Sequence, residues 1–103
     1  MRERDVEAYL VKRVKELGGE CRKVQWIGRN GAPDRLVMLP ERWNTDGEGF
    51  LQDHWLPVTI WVELKAPGQK PRPSQVREHE RMRAMGQRVE VIDSIEGVEE
   101  LLA

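Results

Sequence analysis

The chain has 103 residues, of which 39% are hydrophobic and 34% are charged, and its formal net charge is −1. A chain of this length is expected to form one domain with a single modest core. No apolar run approaches the length of a membrane span, and the charged N-terminus does not resemble a secretory signal. The single cysteine, Cys21, excludes an internal disulfide and a cysteine-built metal site. We therefore expect an intracellular, cytoplasmic protein with no membrane partner.

The charges are distributed unevenly along the chain. Residues 65–88 carry seven basic side chains against two acidic ones, a balance of +5, and residues 21–40 carry four against one, a balance of +3. The last fifteen residues carry five acids and no Lys or Arg. A local basic patch can neutralise phosphate groups whatever the total charge is. The pattern therefore allows a nucleic-acid partner, although arginines along a helix also form ordinary solvated faces.

Hydrophobic periodicity and turn residues predict the elements in chain order. They are a helix over 3–17, strands over 20–27, 34–39 and 58–65, a helix from an N-cap at Ser74 to Met85, a strand over 88–92, and a short helix from Ser94 to Leu102. Residues 40–57 form either a long loop or an elaborated hairpin. The order of elements is αβββαβα, which predicts one α/β domain spanning residues 1–103.

Two of the predicted strands carry residues suited to phosphodiester chemistry. Asp34 follows a loop rich in turn formers and opens one strand, while Glu63 and Lys65 lie two apart on another. Residues two apart in a strand point to the same face, and the apolar residues between them face the core. Two carboxylates can hold a hard divalent cation, and an ammonium group beside them helps to orient a water molecule. The alternative is a solvated ion pair beside an ordinary turn.

The same motifs, with a third one downstream, resemble those of a known family. They are Gly31-Ala32-Pro33-Asp34-Arg35, Val62-Glu63-Leu64-Lys65, and Pro71-Arg72-Pro73-Ser74-Gln75 before a helix that ends at Met85-Gly86. In this order and spacing they resemble the VRR-NUC family, small nucleases of the PD-(D/E)xK, restriction-endonuclease-like class that phages often encode. The resemblance covers nearly the whole chain and implies an αβββαβα core around a mixed sheet.

The resemblance implies roles for the residues at the centre of the motifs. Asp34 and Glu63 would bind Mg²⁺, with Mn²⁺ able to substitute, and the backbone carbonyl of Leu64 would complete the metal's ligands. Lys65 would orient the attacking water or stabilise the charge that develops in the transition state.

Two further positions are implied at the edge of the site. Glu7, on the first helix, would reach the metal directly or through water, and its alternative is an ordinary surface glutamate. Gln75 lies in the first turn of its helix, where free backbone N–H groups can also approach a phosphate. The residues that could contact nucleic acid are Lys23, Arg29, Arg35, Lys70, Arg72 and Arg77.

The remaining aromatic and histidine residues receive structural interpretations. We expect His54 and His79 on the surface, because neither has His or Cys partners at metal-ligand spacing. Trp61 shares the face of Glu63 and could flank the site, but we expect its side chain to pack under the first helix instead. The other three tryptophans, Trp26, Trp43 and Trp55, are expected to be core or dimer contacts.

Two function hypotheses follow. The first is a divalent-metal-dependent DNA endonuclease which, by resemblance, selects branched DNA such as four-way (Holliday) junctions, in the host cytoplasm if a phage encodes it. The second is a non-catalytic module that binds DNA or a partner. We also predict a homodimer, because a two-fold assembly presents two active sites to two strands. Its contact would use apolar residues that could instead fold onto their own sheet: Trp43, Phe50, Leu51, Trp55 and Leu56.

Overall fold

The computed structural model of the chain describes residues 1–45, 51–55 and 57–103, and the side chains of 42–56 lie outside that description. The elements in chain order are α1 (Glu3–Glu16), β1 (Glu20–Lys23), β2 (Arg35–Leu39), β3 (Arg42–Thr45), β4 (Leu51–Trp55), β5 (Val58–Leu64), α2 (Pro73–Ala84), β6 (Val89–Ile92) and α3 (Ile95–Leu102). Among the described residues, no helix combines the length and the apolar character that crossing a membrane requires.

The central sheet has four strands in the order β1-β2-β5-β6. The β1–β2 and β2–β5 pairs are antiparallel, and β5–β6 is parallel, so the predicted mixed sheet and α/β class are confirmed. Strands β3 and β4 pair with each other in a separate two-stranded sheet. Of the two alternatives for residues 40–57, the backbone therefore forms the hairpin, and the order αβββαβα gains two strands. The predicted contact residues Trp43, Phe50, Leu51, Trp55 and Leu56, together with His54, lie where side chains are not described.

The hydrophobic core lies between α1, α3 and one face of the sheet. Val6, Leu10 and Val14 recur at helical spacing, and all three side chains are completely buried. Ile60 and Val62 on β5 are buried equally well, because they alternate with residues that point to the other face. Burying each such side chain contributes about 1.5–3 kcal/mol. The opposite face is left for α2 and the polar residues of β5.

The structure corrects the boundaries of two elements. Helix α2 has Arg72 as its N-cap and Pro73 in its first turn, so the predicted N-cap at Ser74 was wrong. Proline suits the first helical position because it lacks an N–H and its φ is already helical. The strand predicted over 20–27 ends at Lys23, and one further bond, from the N–H of Val24 to the carbonyl of Asp34 at 2.8 Å, follows it. The Ser94 cap of α3 is confirmed, since its hydroxyl accepts a hydrogen bond from the N–H of Gly97.

Candidate active site

The pairing of β2 with β5 brings Asp34 and Glu63 together. The last pair in that antiparallel ladder is Arg35 opposite Val62, so the next positions outward are Asp34 and Glu63. Directly opposed residues of an antiparallel pair share a face. The negative charge of Asp34 contributes to a raised pKa of Glu63, as expected of close carboxylates. The two predicted metal ligands therefore lie side by side at one end of the ladder.

The loop that delivers Asp34 is packed against α2. Gly31 has a φ of +84°, and a Cβ there would lie 2.6 Å from the carbonyl oxygen of Ser74. The indole N–H of Trp26 donates to the carbonyl of Pro33 at 2.8 Å, and Pro33 is completely buried. These contacts fix the backbone immediately before Asp34. Only glycine tolerates both the φ value and the close approach, so Gly31 is what allows the loop to pack directly against α2.

Glu63 is an acidic residue held in a nearly dry position. It is 8% exposed, and burial raises its pKa to about 7, assisted by Asp34 and opposed by the charge of Lys65. The N–H of Lys65 donates to the carbonyl of Ile92 at 3.0 Å, which continues the β5–β6 pairing one residue beyond the strand. Glu63, Lys65 and Asp34 thus occupy one small region, and the carboxylates are only partly compensated by the ammonium.

His79 is the residue at this site that sequence reasoning missed. It is 1% exposed, so the predicted surface position was wrong, and its Nε2 lies 3.4 Å from Oε1 of Glu63. Burial lowers the pKa of His79, and the charges of Arg83 and Lys65 lower it further. A signal was available: Gln75, His79 and Met82 are four and three residues apart and hence share one helix face, and Met82 is buried.

Trp61 lies on the α2 side of the sheet rather than under α1. The ring centroids of Trp61 and Trp26 are 5.2 Å apart with the planes tilted by 48°, and the Trp61 indole N–H donates to Oε1 of Gln87 at 3.1 Å. The preferred packing under the first helix was wrong because residues 61, 63 and 65 alternate away from the α1 face. Trp26 remains 37% exposed, so it is not a core residue.

Glu7 and Arg35 form an ion pair between α1 and β2. Arg35 lies opposite Val62 in the register, which places it on the α1 side of the sheet, and its side chain is 12% exposed. Its position does not fit a direct contact with nucleic acid. In this structure the carboxylate of Glu7 compensates the charge of Arg35.

Gln75 and several basic residues surround the N-terminal end of α2. Oε1 of Gln75 accepts a hydrogen bond from the backbone N–H of Arg72 at 2.8 Å. Arg72 is close enough for its charge to lower the pKa of Glu63. A cleft at this end of the helix is lined by Asn30, Gly31, Arg72, Ser74 and Gln75. The other predicted nucleic-acid contacts have exposed side chains: Lys23, Arg29, Lys70 and Arg77.

Arg29 is anchored as well as exposed. Its guanidinium lies 3.7 Å from Oε1 of Glu78, a carboxylate that is almost fully buried and that also accepts hydrogen bonds from Arg81. The ion pair attaches the loop before Asp34 to the middle of α2, one turn beyond the contact of Gly31 with Ser74. The loop is therefore held at two successive turns of the helix.

The donor set suits magnesium better than zinc. Among the described residues, no group of three or more His, Cys, Asp and Glu side chains is placed to hold a metal ion. Zinc sites use three or four such ligands, whereas magnesium is commonly held by one or two carboxylates and keeps several waters. Asp34 and Glu63 are two adjacent carboxylates whose repulsion a cation would relieve, and Leu64 directly follows Glu63 in the chain. The residues present therefore fit Mg²⁺ or Mn²⁺.

Comparison with known proteins identifies the family. No family model matches the chain. A solved structure described as a VRR_NUC domain aligns with 97% of this chain and 92% of its own, with 40% identity and a TM-score of 0.74. A phage protein named "Putative nuclease p44", from Acyrthosiphon pisum secondary endosymbiont phage 1, is 44% identical over 94 residues, covering 91% of this chain and 85% of that protein. The chain belongs to the VRR-NUC family.

Membership of the VRR-NUC family confirms the resemblance that was inferred from the three sequence motifs. The three helices and the four-stranded mixed sheet match the VRR-NUC neighbour as an α/β fold. The neighbour and the phage relative together support a nuclease.

Proposed function

We propose that the protein is a divalent-metal-dependent DNA endonuclease that hydrolyses phosphodiester bonds. The observation that carries the proposal is the meeting of Asp34, Glu63 and Lys65 at one end of the β2–β5 ladder. A pair of adjacent carboxylates, of which Glu63 is buried, costs stability unless a cation compensates it. An ammonium on the same face supplies the positive group that hydrolysis of a phosphodiester needs beside the metal.

In this proposal each residue of the site has one task. Asp34, Glu63 and the carbonyl of Leu64 hold Mg²⁺, or Mn²⁺ in its place. When bound, the ion supplies Lewis acidity and lowers the pKa of a bound water. Lys65 orients the attacking water and stabilises negative charge on the phosphate oxygens in the transition state. Glu7 holds Arg35 and reaches the metal only through water.

The N-terminal end of α2 binds the phosphate backbone next to the reacting group. Its first backbone N–H groups and the positive end of the helix dipole attract phosphate. Gln75 lies in that first turn and Arg72 immediately precedes it. The exposed Lys23, Arg29, Lys70 and Arg77 extend the same positive surface. Contacts of this kind give affinity without sequence preference, because phosphates carry no base information.

The finer proposals concern substrate, assembly and location. We propose branched DNA, such as four-way junctions, as the preferred substrate and a homodimer as the active form, because a small domain covers little of a branched DNA. A two-fold dimer would present two sites to strands of opposite polarity. The similarity to a phage protein supports the cytoplasm of a bacterial host as the place of action.

The test is cleavage of plasmid DNA and of synthetic four-way, flap and duplex substrates by purified protein. Cleavage should require Mg²⁺ or Mn²⁺ and should stop when a chelator is added. The matched variant is Asp34→Asn, which keeps the side-chain shape but removes the charge. Binding of junction DNA without cleavage in any divalent ion would instead favour the alternative, a non-catalytic module that retains the nuclease fold.

A further inference from the structure

His79 and Glu63 face each other between α2 and the sheet. The two residues are 1% and 8% exposed, and Nε2 of His79 lies 3.4 Å from Oε1 of Glu63. Within the described part of the chain, neither of these two atoms has a hydrogen-bond partner. Leaving a buried polar atom unbonded costs about 1–3 kcal/mol. A hydrogen bond between the two atoms would remove this cost for both of them.

The chemistry of the two groups decides which one donates. To bind a metal ion Glu63 must be ionised, and an ionised carboxylate has only acceptor oxygens, so the imidazole must present an N–H. The proton must then lie on Nε2. The separation is longer than an ordinary hydrogen bond of about 2.7–3.2 Å. Hydrogen bonds at catalytic sites are often long in the ligand-free protein and tighten when the site is filled.

We propose that His79 is a positioning residue, whose Nε2–H donates to Oε1 of Glu63 and so turns the other carboxylate oxygen, Oε2, toward the metal. This proposal rests on the proposed nuclease function. A carboxylate that accepts a hydrogen bond at one of its oxygens cannot rotate freely. Less conformational entropy is therefore lost when it binds an ion. Hydrogen-bond partners of metal ligands typically change metal affinity by about 10- to 100-fold.

The same contact links the metal site to the proposed phosphate site. His79 and Gln75 are one turn apart on α2, and Gln75 lies in the turn that carries the free N–H groups. A bond from His79 to Glu63 therefore fixes the distance between the metal ligands and the end of the helix that receives the phosphate. Met82, one turn later, is buried on the same side and holds the helix against the sheet independently of His79.

The matched variants are His79→Gln and His79→Leu. The amide N–H of glutamine can reach Glu63 as Nε2 of histidine does, whereas leucine fills similar space and has no donor. Calorimetric titration with Mn²⁺ should show about 10- to 100-fold weaker binding for His79→Leu and binding close to wild type for His79→Gln. Thermal unfolding establishes that both variants are folded. A folded His79→Leu protein that binds Mn²⁺ as tightly as wild type would overturn the proposal.

A measurement on the wild-type chain does not depend on the stability of any His79 variant. Nitrogen-15 NMR of the imidazoles, recorded at pH values above the Glu63 pKa of about 7, should show a proton on Nε2 of His79, with a resonance that shifts when Mg²⁺ is added. The resonance of His79 is identified by its loss in His79→Gln. The Mg²⁺-dependent shift should disappear in Glu63→Gln. A proton found on Nδ1 instead would contradict the assignment.

Failure of the proposed nuclease function and failure of the proposed role of His79 would give different results. Wild-type protein that binds neither Mn²⁺ nor Mg²⁺ would contradict the nuclease function and, with it, the role of His79 toward a metal. Normal binding by wild type together with an unchanged affinity in folded His79→Leu would contradict the role of His79 alone.

Discussion

Gly31 and Ser74 are in such close contact that one added carbon atom would not fit between them. A Cβ on Gly31 would lie 2.6 Å from the carbonyl oxygen of Ser74 and 3.0 Å from the Cα of Gln75. The contact joins the loop before Asp34 to the first turn of α2. One contact between backbones thus joins the segment that carries a proposed metal ligand to the helix turn that carries the proposed phosphate site.

The first prediction tests that contact with a pair of matched glycine variants. Gly31 and Gly28 both have positive φ, but a Cβ on Gly28 would meet no atom within 4 Å. Gly28→Ala should therefore lower the free energy of unfolding by only about 1 kcal/mol, the cost of backbone strain at a positive φ. Gly31→Ala should lose about 2–4 kcal/mol, because overpacking is added to that strain. Urea denaturation measures both, and equal losses would show that the loop can move away from α2.

The second prediction concerns Lys65. Lys65→Ala should lower the cleavage rate by at least about 100-fold, the usual cost of removing one group that stabilises transition-state charge, while folding and DNA binding remain close to wild type. Single-turnover cleavage and gel-shift titration measure the two effects separately. Lys12→Ala, a change at an exposed lysine on α1, is the control. A Lys65→Ala protein that cleaves at the wild-type rate would remove Lys65 from the mechanism.

The third prediction concerns the metal. Asp34→Asn should lose most of its affinity for Mn²⁺ in calorimetric titration, because it removes one of two carboxylates from an all-oxygen donor set. Asp93→Asn is the matched control, since the Asp93 carboxylate accepts a hydrogen bond from the N–H of Gly68 and an amide oxygen can do the same. Unchanged Mn²⁺ affinity in Asp34→Asn would show that Asp34 is not a direct ligand.

The fourth prediction is a pH dependence of stability in metal-free protein. The pKa of Glu63 rises from 4.5 to about 7 on folding, so folded protein holds a proton that the unfolded chain releases between those values. The contribution of Glu63 to the free energy of unfolding should therefore fall as pH rises from about 4.5 to about 7. His79 acts in the opposite sense, because its lowered pKa makes stability rise as pH approaches 6.5.

Comparison with Glu63→Gln isolates the Glu63 contribution. Urea denaturation of both proteins with chelator present, at several pH values in that window, gives the difference curve. The downward slope should be absent in Glu63→Gln and should be abolished in wild type by saturating Mg²⁺, which favours the ionised carboxylate. Parallel curves for the two proteins would mean that Glu63 is already ionised throughout the window.

The fifth prediction is assembly. Light scattering at micromolar concentration should give twice the chain mass of 12.0 kDa. Cleavage of a four-way junction should then produce paired incisions from one dimer. A stable monomer of 12.0 kDa that still cleaves junctions at the full rate would rule out the dimer as the active form.

The sequence predicted the β2–β5 side of the site well, because strand alternation is a strong local signal. The two-residue spacing of Glu63 and Lys65 was enough to place those two on one face, and the turn-rich loop placed Asp34 at the start of a neighbouring strand. That Asp34 lies opposite Glu63 follows from the register of β2 and β5. The α2 side was less predictable. His79 lies in a helix rich in charged residues, and the only signal was its helical spacing with Gln75 and Met82, which is weak because two of those three residues are polar.

Contacts between distant long side chains were also beyond the sequence. Nothing local distinguishes Arg35, which pairs with Glu7, from Arg29, which pairs with buried Glu78. Which arginine is buried depends on the face of the sheet to which it points and on which helix covers that face. The two strands of the hairpin after β2 were left open for a related reason, since turn formers and apolar residues alternate there without a clear period.

The register of β2 against β5 also separates what can change in this protein from what cannot. Leu39 and Val58 are opposed at the far end of the ladder, so the chain leaves and re-enters the sheet at points only about 5 Å apart. Asp34 lies five residues from Leu39, a distance of about 17 Å along the strand. Insertions, deletions or wholly different hairpins between Leu39 and Val58 can therefore be exchanged as modules. New surfaces for partners or substrates could evolve there while the reacting groups keep their positions.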